Sequence, residues 1–151
     1  MEVKKGGMNE MFTVNATDAR NEWSDFINSV IREKPKIIKR TKDYIFVSNL
    51  EMAKEMLKVY TFTANIFKEE NGSVTISLNE IDIVANGKNE EEALNRLVND
   101  LIEYAEDFYN DFQYWYSAPN RKKHLPYILN VLLQDSHEGV KKLIKCQRGE
   151  N

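Results

Sequence analysis

The chain has 151 residues, of which 42% are hydrophobic, 30% are charged and 11% are aromatic. This length suits one domain or two small ones, and the composition excludes both an intrinsically disordered chain and a membrane-spanning one. The formal net charge of -3 averages three unlike segments: residues 1–58 carry +2, residues 59–119 carry -9 and residues 120–151 carry +4. Such charge asymmetry indicates separate modules with different partners.

Residues 12–58 alternate short apolar runs with helical patterns in the order β-α-β-β-α. Between Ala19 and Ile31, apolar residues recur at spacings of three and four, which predicts one helix with a buried face. The predicted elements are a strand at 12–14, a helix that ends before Lys34-Pro35, strands at 36–40 and 44–47 joined by a hairpin loop at 41–43, and a helix capped by Asn49.

Residues 59–119 show a β-β-β-α pattern. Two runs alternate apolar and polar residues at period two on either side of Asn71-Gly72, which predicts a hairpin because positive φ is easily adopted by an Asn-Gly turn. Asn89 and Glu92 have the spacing of a capping box at the start of a long helix. The predicted elements are strands at 60–66 and 74–78, a third strand around Ile81 and Ile83, and a helix that continues almost to Pro119.

The tail, residues 120–151, is predicted to be helical. Pro126 suits the first position of one helix, and a second short helix should follow Asp135 and carry Val140, Leu143 and Ile144. The fold class expected for the whole chain is therefore α+β, with residues 1–58 as one domain and residues 59–151, including the tail, as another.

Residues typical of catalysis are sparse in this sequence. His124 and His137 lie outside any metal-binding motif, and Cys146 has no paired histidine and no partner for a disulfide. We therefore expect no catalytic residue, no metal site and no cofactor, and a protein that is not an enzyme. The sequence has no apolar leader and no run long enough to span a bilayer, which predicts a cytoplasmic protein without a membrane contact.

A basic cluster is more informative, since six cations fall within eleven residues that hold one acid, Glu33. Such a cluster can neutralise phosphates, although a solvated face at a helix end would explain it equally well. Arg20 favours DNA, because an Arg fork beside short polar side chains near a helix start can reach a guanine edge. The candidate DNA-binding residues are Thr17, Arg20, Asn21, Lys39, Arg40 and Lys42, and the rest of the cluster is Arg32, Lys34 and Lys36.

Residues 14–23, VNATDARNEW, resemble the opening of the prevent-host-death (Phd/YefM) antitoxins, in which a short strand precedes a Ser/Thr-Glu/Asp-Ala-Arg helix start. The resemblance continues through residues 34–57, KPKIIKRTKDYIFVSNLEMAKEML, and covers about residues 12–58. It implies a β-α-β-β-α unit that forms a homodimer through its sheet and binds operator DNA, with Arg20 reading the DNA and Thr17 near its backbone. The family usually has a Gly-containing turn where this chain has Thr41-Lys42-Asp43.

The following block is similar to a second antitoxin type, HicB. The similarity is carried by residues 60–78, YTFTANIFKEENGSVTISL, and residues 85–108, ANGKNEEEALNRLVNDLIEYAEDF. It implies a partial ribonuclease-H-like β-β-β-α domain. The family's Leu-Pro-Gly-Cys-like stretch before the helix is replaced here by residues 79–83, which argues against a HicA-type toxin partner.

Seven aromatic residues fall within residues 104–116, too many to share one side of a helix. Some of them must be exposed or covered by the tail or by a partner. The candidate toxin-binding residues are Tyr109, Phe112, Trp115 and Tyr116.

These observations lead to one principal hypothesis. The chain is a RelB-type antitoxin of a type II toxin-antitoxin system, whose first domain dimerises and binds operator DNA to repress its own operon. Its acidic second domain binds a basic ribonuclease toxin of the RelE/YoeB kind by direct contact, because opposite charges attract and the toxin's RNA-binding surface is then occluded. Assembly beyond the dimer is left open.

Two other classes of protein are alternatives to an antitoxin. A stand-alone transcriptional regulator would use the acidic block to bind a ligand or to oligomerise. A small nuclease, suggested by the ribonuclease-H-like shape, is disfavoured because the sequence does not place clustered carboxylates on adjacent strands to hold two metal ions.

Overall fold

The computed structural model describes residues 7–148, which divide into two compact units between Met56 and Leu57. Each unit has its own sheet, and the fold class is α+β, as predicted. The described helices are α1 (Ala16–Asn21), α2 (Trp23–Arg32), α3 (Leu50–Leu57), α4 (Glu90–Asn110), α5 (Phe112–Ser117), α6 (Leu125–Leu132) and α7 (His137–Lys141). The described strands are β1 (Thr13–Asn15), β2 (Lys36–Arg40), β3 (Asp43–Val47), β4 (Phe62–Lys68), β5 (Val74–Leu78), β6 (Val84–Gly87) and β7 (Ile144–Arg148).

The first unit has a three-stranded sheet in the order β1-β2-β3. Strand β1 runs parallel to β2, and β2 and β3 form the predicted antiparallel hairpin, with Arg40 opposite Asp43 at its closed end. The loop residue Thr41 has φ +56°, so a β-branched residue occupies the left-handed conformation that glycine favours. Strand β3 lies at the edge of this sheet, and within the described residues its backbone pairs with β2 alone.

The predicted first helix is two helices. The backbone leaves the helical region at Glu22, with φ -123° and ψ 46°, and this residue separates α1 from α2. The prediction that Trp23 and Ile31 share the buried face was wrong, because both side chains are more than half exposed. Both residues belong to α2, whose buried face holds only Phe26 and Val30.

The core of the first unit is small. Only Ala19, Phe26 and Val30 are buried among its described residues, and partly buried side chains surround them. Phe26 and Val30 lie four residues apart on α2 and therefore share one face of the helix. A unit of this size buries little apolar surface on its own.

The second unit has a four-stranded sheet in the order β6-β5-β4-β7. Strands β4, β5 and β6 are antiparallel neighbours, whereas β7 pairs with β4 in parallel, with Phe62 opposite Ile144. The hairpin between β4 and β5 turns at Gly72, whose φ of +88° explains the glycine at this position. The Asn-Gly hairpin is thus confirmed.

The third strand lies later in the sequence than predicted. Ile81 and Ile83 precede β6 and belong to a tight loop, in which the amide of Leu78 donates to the carbonyl of Ile83. The carboxylate of Glu80 holds this loop, since it accepts hydrogen bonds of 2.9 Å from the amide and 2.7 Å from the hydroxyl of Thr63. Ile81 lies in this loop, and its side chain is buried in the core. Its burial explains the apolar pattern that predicted a strand here.

Helix α4 covers one face of this sheet. It begins as predicted at Asn89, whose side-chain oxygen accepts a 2.9 Å hydrogen bond from the amide of Glu92. Such a cap contributes roughly 1 kcal/mol to helix stability. Its fully buried residues are Ala93, Leu97, Val98, Leu101, Ala105 and Phe108.

The structure corrects two further predictions about the second unit. Helix α4 ends at Asn110 instead of near Pro119, because Asp111 leaves the helical region and α5 starts anew. The tail is not wholly helical, since residues 144–148 form β7, and the second tail helix, α7, ends at Lys141, before Leu143. Pairing with the edge of β4 satisfies the backbone groups of these residues. The first tail helix does begin at the predicted place, with Pro126 in its first turn.

Gly87, at the end of β6, lies very close to the first turn of α4. A Cβ at this position would meet the backbone of Ala93, with the Cα of Ala93 at 2.9 Å, and neither the strand nor the helix can move without disturbing the core. Replacing Gly87 by alanine should therefore lower the free energy of unfolding by about 1 to 3 kcal/mol, the usual cost of overpacking.

Chemical denaturation of the full chain measures this effect, and Gly139→Ala is the matched control. A Cβ at Gly139 meets the flexible side chain of Gln134 at 3.3 Å, and alanine favours the helical backbone of α7. Equal stabilities for the two variants would contradict the close approach at Gly87.

Candidate functional site

A basic groove opens on the first unit between α1 and the hairpin. It has a volume of about 490 Å³ and a mostly apolar floor. Arg20 enters it from the last turn of α1, and Arg40 enters it from the end of β2. Residues twenty apart in the sequence thus lie at one groove. Its lining residues are Ala16, Ala19, Arg20, Trp23, Ile38, Arg40, Asp43 and Ile45.

None of the other four candidate DNA-binding residues lines this groove, and Lys39, between the lining residues Ile38 and Arg40 on β2, points to the opposite face of the sheet. Thr17 is exposed on α1, Asn21 lies beside Arg20 in a neighbouring depression, and Lys42 is in the hairpin loop next to Arg40. The ammonium group of Lys39 lies 5.7 Å from the ring centroid of Tyr44. Arg20 lies one turn into α1, as expected, and because α1 has only six residues this is also its last turn, where the helix dipole favours a cation.

Large apolar side chains are exposed beside the groove and along the edge of the first sheet. Three consecutive residues of β3, Tyr44, Ile45 and Phe46, are each more than 50% exposed, although successive residues of a strand point to opposite faces. Both faces of the edge strand are therefore open. The other exposed apolar residues of this unit are Met11, Trp23, Ile31, Leu50 and Met56.

An acidic ridge runs along the exposed face of α4, formed by Asp100, Glu103, Glu106 and Asp107. Glu103 is three residues from Glu106 and four from Asp107, so like charges are neighbours on one helix face. Within residues 7–148, the ion pairs of α4 involve Glu90 and Glu92 near its start, and none reaches the ridge. The ridge is thus a strongly negative surface without a basic partner in the described chain.

Aromatic rings form a continuous cluster where α4 passes into α5. Phe108 is fully buried, and Trp115 stacks on it with centroids 6.3 Å apart. Phe112 stacks on Tyr116 at 5.4 Å. Of the candidate toxin-binding residues, Tyr109 is 62% exposed and Phe112 is 36% exposed, whereas Trp115 and Tyr116 are partly buried in the cluster.

Two cations of the tail cover part of this aromatic cluster, so coverage by the tail, one of the alternatives left open by the sequence, is present, although the sequence did not single out these two residues. The guanidinium of Arg121 lies 5.8 Å from the ring centroids of both Tyr104 and Trp115. The ammonium of Lys122 lies 5.0 Å from the centroid of Tyr116. The only available signal was the Arg-Lys-Lys run that follows the aromatic segment. Tyr114, which was not a candidate, is the most exposed ring of the cluster at 63%.

His124 is buried beneath this cover. A hydrogen bond of 2.8 Å joins its Nδ1 to the hydroxyl of Tyr104, which satisfies the polar group. Burial lowers the pKa of His124, and the positive charges of Arg121 and Lys123 lower it further. Burial also raises the pKa of Tyr104. His124 is therefore a neutral structural residue at pH 7.

The remaining candidates for chemistry lie apart. Cys146 is exposed, but partial loss of hydration and the nearby carboxylate of Glu90 raise the pKa of its thiol, which disfavours the reactive thiolate. In the part of the chain that the structure describes, no three His, Cys, Asp or Glu residues lie close enough to hold a metal ion. The same part contains no helix with both the length and the apolar character needed to cross a bilayer.

The first unit thus carries a basic groove, and the second carries an acidic ridge and an aromatic cluster. Comparison with known proteins identifies the class. The model of a PHD-like family, described as the antitoxin of RelE/RelB toxin-antitoxin systems, matches residues 8–146. The chain belongs to this antitoxin family, as the resemblance to antitoxins had suggested.

A solved structure supports the same assignment. A crystal structure from Syntrophomonas wolfei subsp. wolfei, described as the antitoxin part of a proposed toxin/antitoxin system, is similar with a TM-score of 0.85 and 39% sequence identity. The similarity covers 91% of this chain and 99% of that one, so both units are included. No curated protein matches significantly.

The burial of His124 predicts a pH dependence of stability. The pKa of this histidine is lower in the folded chain than its ordinary value near 6.5, so below that value the unfolded chain binds more protons than the folded one. Its contribution to stability should be complete above pH 6.5 and decrease as the pH falls toward the lower folded pKa. Urea unfolding between pH 7.5 and 5.5 measures the slope.

Two variants isolate the histidine responsible. His124→Gln should lower the stability at pH 7.5 but reduce the slope, because the titrating group is gone. His137→Gln, at the exposed start of α7, should keep the slope of the natural chain. A slope that disappears with His137 and persists without His124 would exclude this explanation.

Proposed function

We propose that this antitoxin neutralises a ribonuclease toxin of the RelE/YoeB kind by direct contact with its second unit, and that its first unit binds operator DNA as a homodimer and represses its own operon. The proposal rests on one observation: a basic groove lies on the first unit, and an acidic ridge lies on the second. The basic groove suits phosphates, and the acidic ridge suits a basic protein. Both activities are binding events and require no turnover.

Toxin binding is assigned to the second unit on electrostatic and structural grounds. A protein that grips RNA carries a basic surface, and the segment 59–119, which includes the ridge, has a net charge of -9. Exposed rings lie at the end of the same helix, and aromatic residues are enriched where protein interfaces are buried. A HicB-like topology is consistent with this unit, in which three antiparallel strands are followed by a helix and by a strand parallel to the first.

Dimerisation is assigned to the first unit because its own core is incomplete. Its three buried residues contrast with the exposed apolar side chains along β3 and α2. A second copy related by a two-fold axis would cover the same residues on both chains. Two basic grooves would then be presented to two half-sites of one operator, which raises affinity and specificity together.

Coexpression with the neighbouring gene tests the toxin assignment. If the proposal is right, a small basic protein encoded beside this gene is toxic alone, copurifies with this chain, and loses its ribonuclease activity in the complex. Glu103→Gln combined with Asp107→Asn should weaken this complex by about 10-fold or more at low salt, and the difference should shrink as salt increases.

The matched control is Glu69→Gln combined with Glu70→Gln, which removes two exposed acids from the β4–β5 turn. This control should weaken the complex far less, because these acids lie outside the ridge. If the neighbouring product is neither toxic nor bound, the antitoxin acts on DNA alone and the toxin assignment fails.

DNA binding is tested with the duplex immediately upstream of the gene. Arg20→Ala should reduce affinity by about 1 to 3 kcal/mol and reduce the preference for this duplex over a scrambled one, as expected for a cation that contacts a base. Arg32→Ala removes the same charge from the last turn of α2, away from the groove, and should leave that preference intact. Both variants should sediment as dimers.

If Arg20→Ala and Arg32→Ala change affinity and preference equally, Arg20 contacts phosphates and does not read a base. Unchanged binding in the Arg20 variant would remove it from the DNA interface.

A further inference from the structure

The aromatic cluster of the second unit uses its ring faces to hold cations. Arg121 lies over two rings and Lys122 over a third, each within the range of a cation-π interaction. The two cations are adjacent in the tail. Lys122 begins a short 3-10 helix, Lys122–His124, and Arg121 directly precedes it. These contacts within the chain show that the ring faces of the cluster bind cations.

The tail leaves part of this surface open. Tyr109, at the end of α4, and Tyr114, on α5, are each more than 60% exposed, and Tyr114 meets the edge of Trp115 with centroids 5.3 Å apart. Neither tyrosine ring has a cation over it within residues 7–148. Exposed rings of this size, held by a rigid helix pair, are the usual anchors of a protein interface.

Carboxylates border the open rings. Glu106 precedes Tyr109 by three residues on α4, so the two side chains share a helix face. Asp107 and Asp111 lie at the same end of the helix, and Asp111 separates α4 from α5. An aromatic face beside a carboxylate fits a guanidinium group, which can stack on the ring and bind the carboxylate with its N–H groups. A lysine ammonium gains less, since it is compact and strongly hydrated.

We infer that the α4–α5 end of the second unit binds an arginine-bearing segment of the partner protein, with Tyr109 and Tyr114 stacking on guanidinium groups and Glu106, Asp107 and Asp111 pairing with them. The inference rests on the proposed function, because the partner it describes is the toxin. It also changes the expected contact residues. Trp115 and Tyr116 are held by Arg121 and Lys122, so Tyr114 takes a place that the sequence did not assign to it.

A peptide titration tests the chemistry without the toxin. The full chain is titrated with hexa-arginine and, separately, with hexa-lysine at low salt, and the two affinities are compared by calorimetry. We expect hexa-arginine to bind several-fold more tightly. In a chain with both Tyr109→Leu and Tyr114→Leu, the affinity for hexa-arginine should fall by about 4- to 25-fold, since one exposed cation-π contact corresponds to roughly 2- to 5-fold. Binding of hexa-lysine should change less.

The leucine variants keep apolar bulk and remove the ring face, so they separate stacking from simple burial. Phe67→Leu is the matched control, because Phe67 is an exposed ring on β4 of the same unit. It should leave both affinities unchanged. The inference is overturned if hexa-arginine does not bind, if it shows no preference over hexa-lysine, or if the preference survives in the double leucine variant.

The double leucine variant is also coexpressed with the neighbouring gene. Weaker toxin binding together with the lost arginine preference supports the inference. Toxin binding that stays unchanged overturns it and leaves the proposed function in place. Conversely, an arginine preference that depends on both tyrosines, in a chain that binds no neighbouring product, contradicts the proposed function and supports only the surface chemistry.

Discussion

Helix α4 lies on the second sheet through a stripe of side chains that have no exposed surface. Burial of one Leu, Val or Phe side chain contributes about 1.5 to 3 kcal/mol, whereas one like-charge pair on a helix costs only about 0.2 to 0.5 kcal/mol. The apolar stripe therefore outweighs the repulsion along the acidic ridge and fixes which residues face outward. Helix α4 therefore remains stable although its exposed face carries neighbouring like charges.

The same packing determines what happens at the two ends of α4. At its start, Gly87 allows β6 to touch the first turn, and Arg148 of β7 pairs with Glu90, so the end of the described chain is tied to the start of the helix. At its other end, Asp111 interrupts the helix, and α5 follows with Trp115 stacked on Phe108.

The predictability of each element depended on whether its signal was local. The caps and turns at Asn89 and Gly72 are set by their own side chains and backbone, and both were predicted correctly. Strand β7 was missed because its five residues gain their partner, β4, from a point about eighty residues earlier in the sequence. Ile81 was assigned to a strand because burial, which gives the apolar pattern, does not reveal whether the backbone is extended.

For the site residues too, the residue types were visible in the sequence, whereas the contacts between distant segments were not. Arg20 and Arg40 were candidates because of their residue types, but that they line one groove depends on the sheet of the first unit. The contacts of Arg121 with Tyr104 and Trp115 could not be predicted, because they require both the end of α4 and the return of the tail.

Charge and aromatic surface have different tasks in the binding that we propose. At physiological ionic strength, exposed charges are screened beyond about 8 Å, so the ridge speeds the approach of a basic partner but distinguishes poorly between one basic protein and another. A ring face discriminates at contact distance, since it favours a planar guanidinium over an ammonium of the same charge. In the proposed complex with DNA, the first unit combines these two functions differently, because its groove has two arginines and an apolar floor, and specificity would depend on where the proposed dimer places them. The total of -3 conceals the opposite net charges of residues 1–58 and 59–119, which the proposal assigns to different partners.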